Sequence, residues 1–485
     1  MDALHTPPVP PPRPLPPWLR FMDAAVVVLL LLAVWQALTG GARGGILRFV
    51  VPRDASAVLL FYAAGALLIV RHLVRPSPSA FARLRRGCRR VGDSPAWGPA
   101  WRAFLATRPT ILVLGFFAVV GVGIVPGAAF RLSDDPLTNL PARFDAGWYG
   151  GIAMDGYEWE GTFERQQNVN FFPAMPLLMR AVGNALGARD RERPREIRMA
   201  RVLWGGVLIS LTAFLFALVY LVKLGTVWMG AERAASAAWL LACYPFAFAF
   251  SAPYTESLFL LASVATVYHA ARSDWKIAGL WGLLAGLSRP NGFLLALPLG
   301  LIAMDQVWTA RRGGAAGWLR RGVAPLAVAS APILGMLVFT TYLFALTDVW
   351  FAWSRSQGAW GRSFGGLAPV QAAWSSLSTD GFIRVAQLAP FDVINALGLV
   401  FALTMIGPVY RRVGGPWAIY VLVSVAAPLF AGGVLSMGRL TSTLFPLFLA
   451  LAAILPSRAV PGWAAAFAML QGLCAALFFT WRQLY

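Results

Sequence analysis

Residues 143–157, RFDAGWYGGIAMDGY, place several polar side chains in a chain that is otherwise strongly apolar. Asp145 stands two residues after Arg143, and the aromatic pair of GWYGG follows. A carboxylate can take the proton from an attacking hydroxyl group, and a neighbouring guanidinium can hold a leaving phosphate. We therefore predict that Asp145 is a general base in a transfer reaction.

Further polar stretches interrupt the apolar sequence at the ends of apolar runs. They are SAPYTES at 251–257, LSRPNG at 287–292, SMGR at 436–439 and the loop 347–390, which contains QGAWGRSF. An ionisable group at membrane depth costs several kcal/mol when it is unpaired, so such groups are functional candidates. We expect Glu256, Arg289 and Arg439 to meet Asp145 on one face of a helical bundle.

Each of these residues also has a simpler interpretation. Arg289 and Arg439 could extend to the lipid headgroups, and Glu256 could cap a helix amino terminus, where a carboxylate is favourable. Asp155 and Glu158 could be solvated loop residues, and the Trp and Tyr of GWYGG could belong to an interfacial aromatic belt. The convergence of several such residues favours a site.

Composition indicates what must position these groups. Of the 485 residues, 58% are hydrophobic and 13% are charged, whereas a soluble domain carries about a quarter charged residues. Apolar runs long enough to cross about 30 Å of hydrocarbon recur along the chain. We predict an all-α, polytopic transmembrane bundle with about thirteen spans and a large first extracytoplasmic loop that carries interfacial helices.

The net charge of +20 does not indicate nucleic-acid binding, because the arginines cluster in short loops as the positive-inside rule requires. The basic loop at 71–108 is predicted to be cytoplasmic, which places the amino terminus inside and 131–200 outside the cell membrane. The segment 171–187 is apolar, but a span there would turn the arginines of 311–321 outward. We therefore predict an interfacial or re-entrant helix at 171–187.

Three parts are predicted along the chain. Residues 1–22 form a disordered, proline-rich cytoplasmic tail, 23–109 a two-helix membrane segment with a basic loop, and 110–485 the transferase module. The three cysteines and three histidines have no metal-ligand spacing. Asp155, Glu158 and Glu160 lie close together in the sequence and could bind a divalent ion. This alternative is not favoured, because a donor with one phosphate needs no metal ion, so no cofactor is predicted.

The motifs resemble the PIG-V-like mannosyltransferases, the family that adds the second mannose to GPI anchors and that belongs to the GT-C class of multispan glycosyltransferases. The stretches that carry the resemblance are RFDAGWYGGIAMDGY, NVNFFPAMPLLMR, YPFAFAFSAPYTESLFLLAS, GLLAGLSRPNGFLLALP and AWGRSF, with GRLTSTLFPLF as a weaker match.

The resemblance implies an inverting transfer of mannose from a polyprenyl-phosphate-mannose donor to a lipid or glycolipid hydroxyl on the extracytoplasmic face. It implies that Asp145 is the catalytic residue. The expected substrate-binding residues are Arg143, Tyr149, Asp155, Tyr254, Glu256, Arg289, Asn291, Arg362 and Arg439.

Two features depart from the family pattern. Phe144 stands where the family commonly has Trp, and two apolar runs at 24–38 and 55–74 precede the helix that leads to Asp145. The alternative function is a transporter or lipid flippase, which would place its polar residues near the membrane midplane, commonly within internal repeats. The polar residues here gather at the ends of spans instead.

Overall fold

The computed structural model describes residues 16–19, 21–26, 28–29, 57–74, 94–128, 130–313, 318–482 and 484. These residues are helical or irregular, with no strand among them. The predicted all-α membrane fold is confirmed. Most of the proline-rich tail, residues 30–56 of the amino-terminal runs and the basic loop at 75–93 lie outside the described residues.

The chain divides into two compact units, Met1–Asp93 with Ala185–Asp190 and Ser94–Asn184 with Arg191–Tyr485. In the first unit, helix α1 spans Ala57–Val74. Arg71 of this helix is buried, and its Nε donates a hydrogen bond of 2.9 Å to Oδ1 of Asp23. An ion pair between two apolar segments satisfies both charges away from water.

The second unit holds all of the polar residues singled out above. Its α-helices are α2 Trp97–Val122, α3 Ala146–Met154, α4 Ala174–Ala185, α5 Arg195–Met229, α6 Ala231–Cys243, α7 Glu256–Ala271, α8 Trp275–Ser288, α9 Ala296–Arg312, α10 Trp318–Thr347, α11 Ala352–Arg355, α12 Ala368–Leu388, α13 Pro390–Arg412, α14 Gly415–Gly432, α15 Met437–Ser442, α16 Phe445–Ile454 and α17 Val460–Phe479. Its short 3₁₀ helices are Asn168–Asn170, Pro245–Ser251, Pro290–Leu295, Ser356–Trp360 and Ser457–Ala459.

The predicted count of thirteen spans is not confirmed. Within the described residues, seven helices are long and apolar enough to cross a membrane, or eight if one bent pair counts as a single span. The difference lies in short apolar helices such as α7 and α16, which have 16 and 10 residues. Both are largely buried inside the bundle, because neighbouring helices surround them.

The bent pair consists of α6 and the 3₁₀ helix Pro245–Ser251, which meet at 81°. A break of this kind exposes backbone carbonyls that lipid cannot satisfy. Arg108, fully buried in α2, donates hydrogen bonds to the carbonyl oxygens of Ala242 and Ala247 at 2.8 and 2.5 Å. Gln471 of α17 donates to Ala242 and Tyr244 at 3.0 and 2.9 Å, so both side chains stabilise the break.

Two sequence-derived boundaries need comment. The apolar run predicted at 110–130 is the helix α2, which begins at Trp97 and ends at Val122, so the basic loop is shorter than 71–108. Gly123, with a φ of 83°, ends this helix. The segment predicted at 171–187 contains helix α4, which has 12 residues and is therefore about 18 Å long. This helix is too short to cross a bilayer, as the prediction of an interfacial or re-entrant helix requires.

Candidate active site

A large cavity opens among the polar stretches of the second unit, with a volume of about 1190 Å³. Among its lining residues are Asp145, Tyr149, Arg289, Arg362 and Arg439. Ligand pockets for drug-sized molecules usually measure about 300–1,000 Å³. The cavity therefore has room for more than one small polar group.

Three of the predicted residues and Asp145 form one continuous ion-pair network. Arg439 places Nη1 2.8 Å from Oδ2 of Asp145 and Nε 3.0 Å from Oε1 of Glu256. Arg289 places Nη1 2.8 Å from the same Glu256 oxygen. The Glu256 side chain is only 2% exposed, whereas that of Asp145 is 18% exposed. Glu256 thus holds two guanidinium groups from behind while Asp145 faces the cavity.

Helix ends deliver these groups to one place. Asp145 immediately precedes α3, Glu256 is the first residue of α7, and Arg289 directly follows α8. Arg439 lies in the short helix α15. A carboxylate at the start of a helix is favoured by the helix dipole, so the capping role foreseen for Glu256 is compatible with its role in the network.

Arg362 adds a further positive charge to the cavity wall. Burial lowers the pKa of Arg362 to about 10, with the charges of Arg439 and Arg289 acting in the same direction and that of Asp145 opposing them. A pKa of about 10 leaves this guanidinium charged at neutral pH. The charges of Arg289, Arg439 and Asp145 are therefore close enough to Arg362 to change its pKa.

Two buried tyrosines, Tyr254 and Tyr149, lie next to the ion-pair network. The Arg439 guanidinium lies 5.2 Å from the centre of the Tyr254 ring, a cation–π contact. Tyr254 donates a hydrogen bond of 2.9 Å to the carbonyl oxygen of Arg143. The hydroxyl of Tyr149 lies 3.5 Å from that of Thr255. Burial raises the pKa of Tyr149, and the carboxylates of Glu256 and Asp145 raise it further, so Tyr149 remains a neutral phenol.

The backbone just before Asp145 is held in an unusual conformation. Phe144 has a φ of 43°, a left-handed value that costs a non-glycine residue about 1–3 kcal/mol. Its ring packs against those of Phe478 and Trp481, with centroids 5.7 and 4.5 Å away. Packing against the end of α17 therefore holds the turn that points Asp145 into the cavity.

Arg143 secures the same turn and does not line the cavity. It is fully buried, and its Nε donates 2.6 Å to the carbonyl oxygen of Phe479, while Nη1 donates to the carbonyls of Asn139 and Ala142. Burial lowers the pKa of Arg143 to about 10. Because Nε and Nη1 donate to carbonyl oxygens, these contacts give Arg143 a positioning role, and the predicted substrate contact stays a prediction.

A close approach of two helices positions Arg439. A Cβ atom added at Gly438 would lie 2.0 Å from the Phe246 ring. A Cβ atom added at Gly398 would lie 2.8 Å from the Cα atom of Gly438. The backbone N–H of Gly438 also donates to Oδ1 of Asn395 at 3.0 Å. Glycine at 398 and 438 therefore lets α13 and α15 approach closely enough to present Arg439 to the cavity.

Two other predicted residues lie outside the cavity lining. Asp155 forms an ion pair with Arg195, with Oδ1 and Oδ2 accepting hydrogen bonds of 3.2 and 2.5 Å, at a site where its side chain is 36% exposed. The partly exposed Asp155 therefore agrees better with the simpler interpretation of a solvated loop residue. Asn291 lies in the 3₁₀ helix Pro290–Leu295, and its Nδ2 is enclosed without a hydrogen-bond partner.

Several lining residues were not foreseen as binding groups. Trp148 stacks on Phe171 with ring centroids 5.8 Å apart and meets Trp360 edge-on at 5.4 Å. Such an aromatic surface offers an apolar face of the kind that ligand pockets use. Arg482 also lines the cavity. Its only signal in the sequence is a Trp-Arg pair just after the last apolar run.

No group of three or more His, Cys, Asp and Glu side chains with a geometry suited to a metal ion occurs within the part of the chain that the structure describes. In particular, Asp155 is paired with Arg195, and Glu160 lies 3.8 Å from Arg165. The expectation that no cofactor is required stays a prediction.

Comparison with known proteins agrees with the motifs. The model of the family described as mannosyltransferase (PIG-V) matches residues 125–312. No curated protein matches the chain. Among solved structures, the oligosaccharyltransferase of Archaeoglobus fulgidus, crystallised with zinc and sulfate, is similar at 14% identity and a TM-score of 0.36, over 77% of this chain and 53% of its own. This chain thus spans about half the length of that structure.

The matched segment contains Asp145, Glu256 and Arg289, whereas Arg362 and Arg439 come from outside it. Through residues 125–312 the chain matches the mannosyltransferase (PIG-V) family, which confirms the resemblance of its motifs and supports a membrane glycosyltransferase.

Proposed function

We propose that this membrane glycosyltransferase moves mannose from a polyprenyl-phosphate-mannose donor to a hydroxyl group of a lipid or glycolipid acceptor, with inversion, on the extracytoplasmic face. One observation carries the proposal. Asp145, the single carboxylate among the described residues of the cavity wall, stands 2.8 Å from Arg439 and shares that wall with Arg289 and Arg362. A base and a group of cations at one place are what such a transfer needs.

The reaction requires one proton transfer and one displacement. The acceptor oxygen attacks the anomeric carbon, its proton passes to Asp145, and the bond from that carbon to the phosphate oxygen breaks. The bonding electron pair leaves with the lipid phosphate, which gains a negative charge. Because attack occurs opposite the leaving group, the configuration inverts. A phosphate is already a good leaving group, so no general acid is required.

The arginines stabilise the charge that develops on this phosphate. A guanidinium presents a planar set of N–H donors to phosphate oxygens. Glu256 fixes Arg289 and Arg439 before the substrate arrives, since it contacts both of them. Donors that are already oriented where charge develops lower the barrier without rearrangement during the reaction.

A transporter is less well supported. Transporters place their binding groups near the bilayer midplane, within discontinuous helices of repeated units. Here Asp145, Glu256 and Arg289 stand where helices begin or end, and the cavity wall contains a carboxylate suited to proton transfer. Together with the family match over residues 125–312, this carboxylate favours transfer chemistry over passage across the membrane.

The test is a transfer reaction with defined donors. Purified protein is incubated with polyprenyl-phosphate mannose and a bacterial lipid extract, and products are identified by mass spectrometry. We expect a lipid whose mass increases by one hexose, and a weaker reaction with polyprenyl-phosphate glucose. Absence of any hexose-containing product, together with movement of lipid across vesicles containing the protein, would replace the transferase with a flippase.

Sidedness can be checked by cysteine labelling in intact cells. Glu164 and Arg312 are exposed, and the predicted topology places them on opposite faces. With a maleimide that cannot cross membranes, we expect Glu164→Cys to be labelled in intact cells and Arg312→Cys only after permeabilisation. Both variants are made in a Cys88→Ser background, because Cys88 lies outside the described residues, whereas Cys243 and Cys474 are buried. Labelling of Arg312→Cys in intact cells, and of Glu164→Cys only after permeabilisation, would show that the topology is the reverse of the predicted one.

A further inference from the structure

The cavity carries more positive than negative charge. Its lining includes four arginines and one carboxylate, and the buried Glu256 adds a second negative charge behind the wall. These two acids contact Arg289 and Arg439. Within the described residues, Arg362 and Arg482 have no ion pair. Positive charge therefore remains available for an anionic ligand.

Arg482 is held in place from both sides. Asn395 donates from Nδ2 to the carbonyl oxygen of Leu484 at 2.5 Å. Trp481 donates from Nε1 to the carbonyl of Ala142 at 3.2 Å, and its ring packs on Phe144. The backbone N–H of Arg482 donates to Leu477 at 2.9 Å. The backbone of Arg482 is therefore fixed beside the cavity.

One nitrogen of the Arg482 guanidinium lacks a hydrogen-bond acceptor within the part of the chain that the structure describes. Its Nη1 is enclosed and has no hydrogen-bond partner among the described residues, although the residue lines the cavity. An enclosed charged donor without a partner is costly, typically more so than a neutral one. A ligand bound in the cavity would supply this partner.

We propose that Arg482 is a phosphate-binding residue of the cavity, which contacts a phosphate group of one of the two lipid substrates. This inference rests on the proposed function for its setting and adds a binding residue that lies outside the family-matched segment. Arg482 binds a phosphate oxygen through Nη1, and its role is to hold a substrate, with no part in proton transfer.

Binding of undecaprenyl phosphate, without a sugar, tests the proposal apart from catalysis. We expect purified Arg482→Gln to bind this lipid about tenfold to a hundredfold more weakly than the unsubstituted protein, as loss of a charged hydrogen bond predicts. Arg482→Lys should retain part of the affinity because it keeps the charge. Arg458→Gln, at an exposed arginine outside the cavity, is the matched control and should bind normally.

Steady-state kinetics then distinguish the two sources of phosphate. A raised KM for the mannose donor, together with weaker lipid binding, assigns Arg482 to the donor. If lipid binding is normal, a raised KM for the acceptor alone assigns it to an anionic acceptor headgroup. Unchanged binding and unchanged KM values for both substrates, in a variant whose thermal unfolding matches the unsubstituted protein, would overturn the proposal. If no mannose is transferred but lipid binding still depends on Arg482, the proposed function fails and this inference stands.

Discussion

The substitution Asp145→Asn is expected to lower the turnover of sugar transfer by about a hundredfold or more, the usual contribution of a general base. Asparagine keeps the shape of the side chain but cannot accept the proton of the acceptor hydroxyl. Donor binding should change little, because Arg289 and Arg362 remain on the cavity wall. The measurements are the rate of hexose transfer with saturating donor and the midpoint of thermal unfolding.

Two further aspartates make this result specific. Asp134→Asn is the neutral control, because Asp134 is 97% exposed and, among the described residues, pairs with Arg131. Asp155→Asn tests the rival carboxylate of the same motif, which pairs with Arg195. Full turnover in Asp145→Asn with loss in Asp155→Asn would transfer the role of base to Asp155 and contradict the site described here.

The substitution Glu256→Gln should have the largest effect on stability. Glu256 is 2% exposed and lies 2.8 and 3.0 Å from Arg289 and Arg439. Removal of its charge leaves two guanidinium groups without their buried counterion, and breaking a buried pair typically costs about 3–5 kcal/mol. We expect a clearly lower midpoint of thermal unfolding in detergent, together with loss of transfer, because Arg439 no longer holds Asp145.

Glu232→Gln is the matched control for this change. Glu232 also lies in the first turn of an apolar helix, but it is exposed and contacts Ser457. It should unfold at nearly the same temperature as the unsubstituted protein. If Glu256→Gln unfolded at the same temperature as the unsubstituted protein, the ion pairs of Glu256 would not stabilise the fold. Glu256 would then not be the group that orients the arginines before substrate binds.

The apolar pattern predicted most helices well, because burial in lipid or protein depends on local composition. The runs at 201–224 and 391–409 correspond to α5 and α13 with a few residues added at each end. The number of spans could not be predicted in the same way. Whether an apolar run such as 235–251 crosses or bends depends on distant partners, here Arg108 and Gln471, which satisfy the carbonyls at the break.

The site was predictable where charge itself was the signal. Glu256, Arg289 and Arg439 were recognised as costly groups beside apolar runs, and the structure brings them together with Asp145. Sequence cannot tell whether an arginine faces a cavity or a set of carbonyls. Arg143 therefore resembled Arg439 until the fold showed that it secures the turn before Asp145.

The contacts between that turn and the end of α17 have a consequence for biosynthesis. Phe479 and Trp481 leave the ribosome long after the family-matched segment, yet they contact Arg143 and Phe144. A nascent chain that already contains the whole family-matched segment still lacks the surface against which this turn packs. Catalytic competence should consequently arise only after α17 has entered the bilayer, so that shorter nascent chains cannot consume the sugar donor.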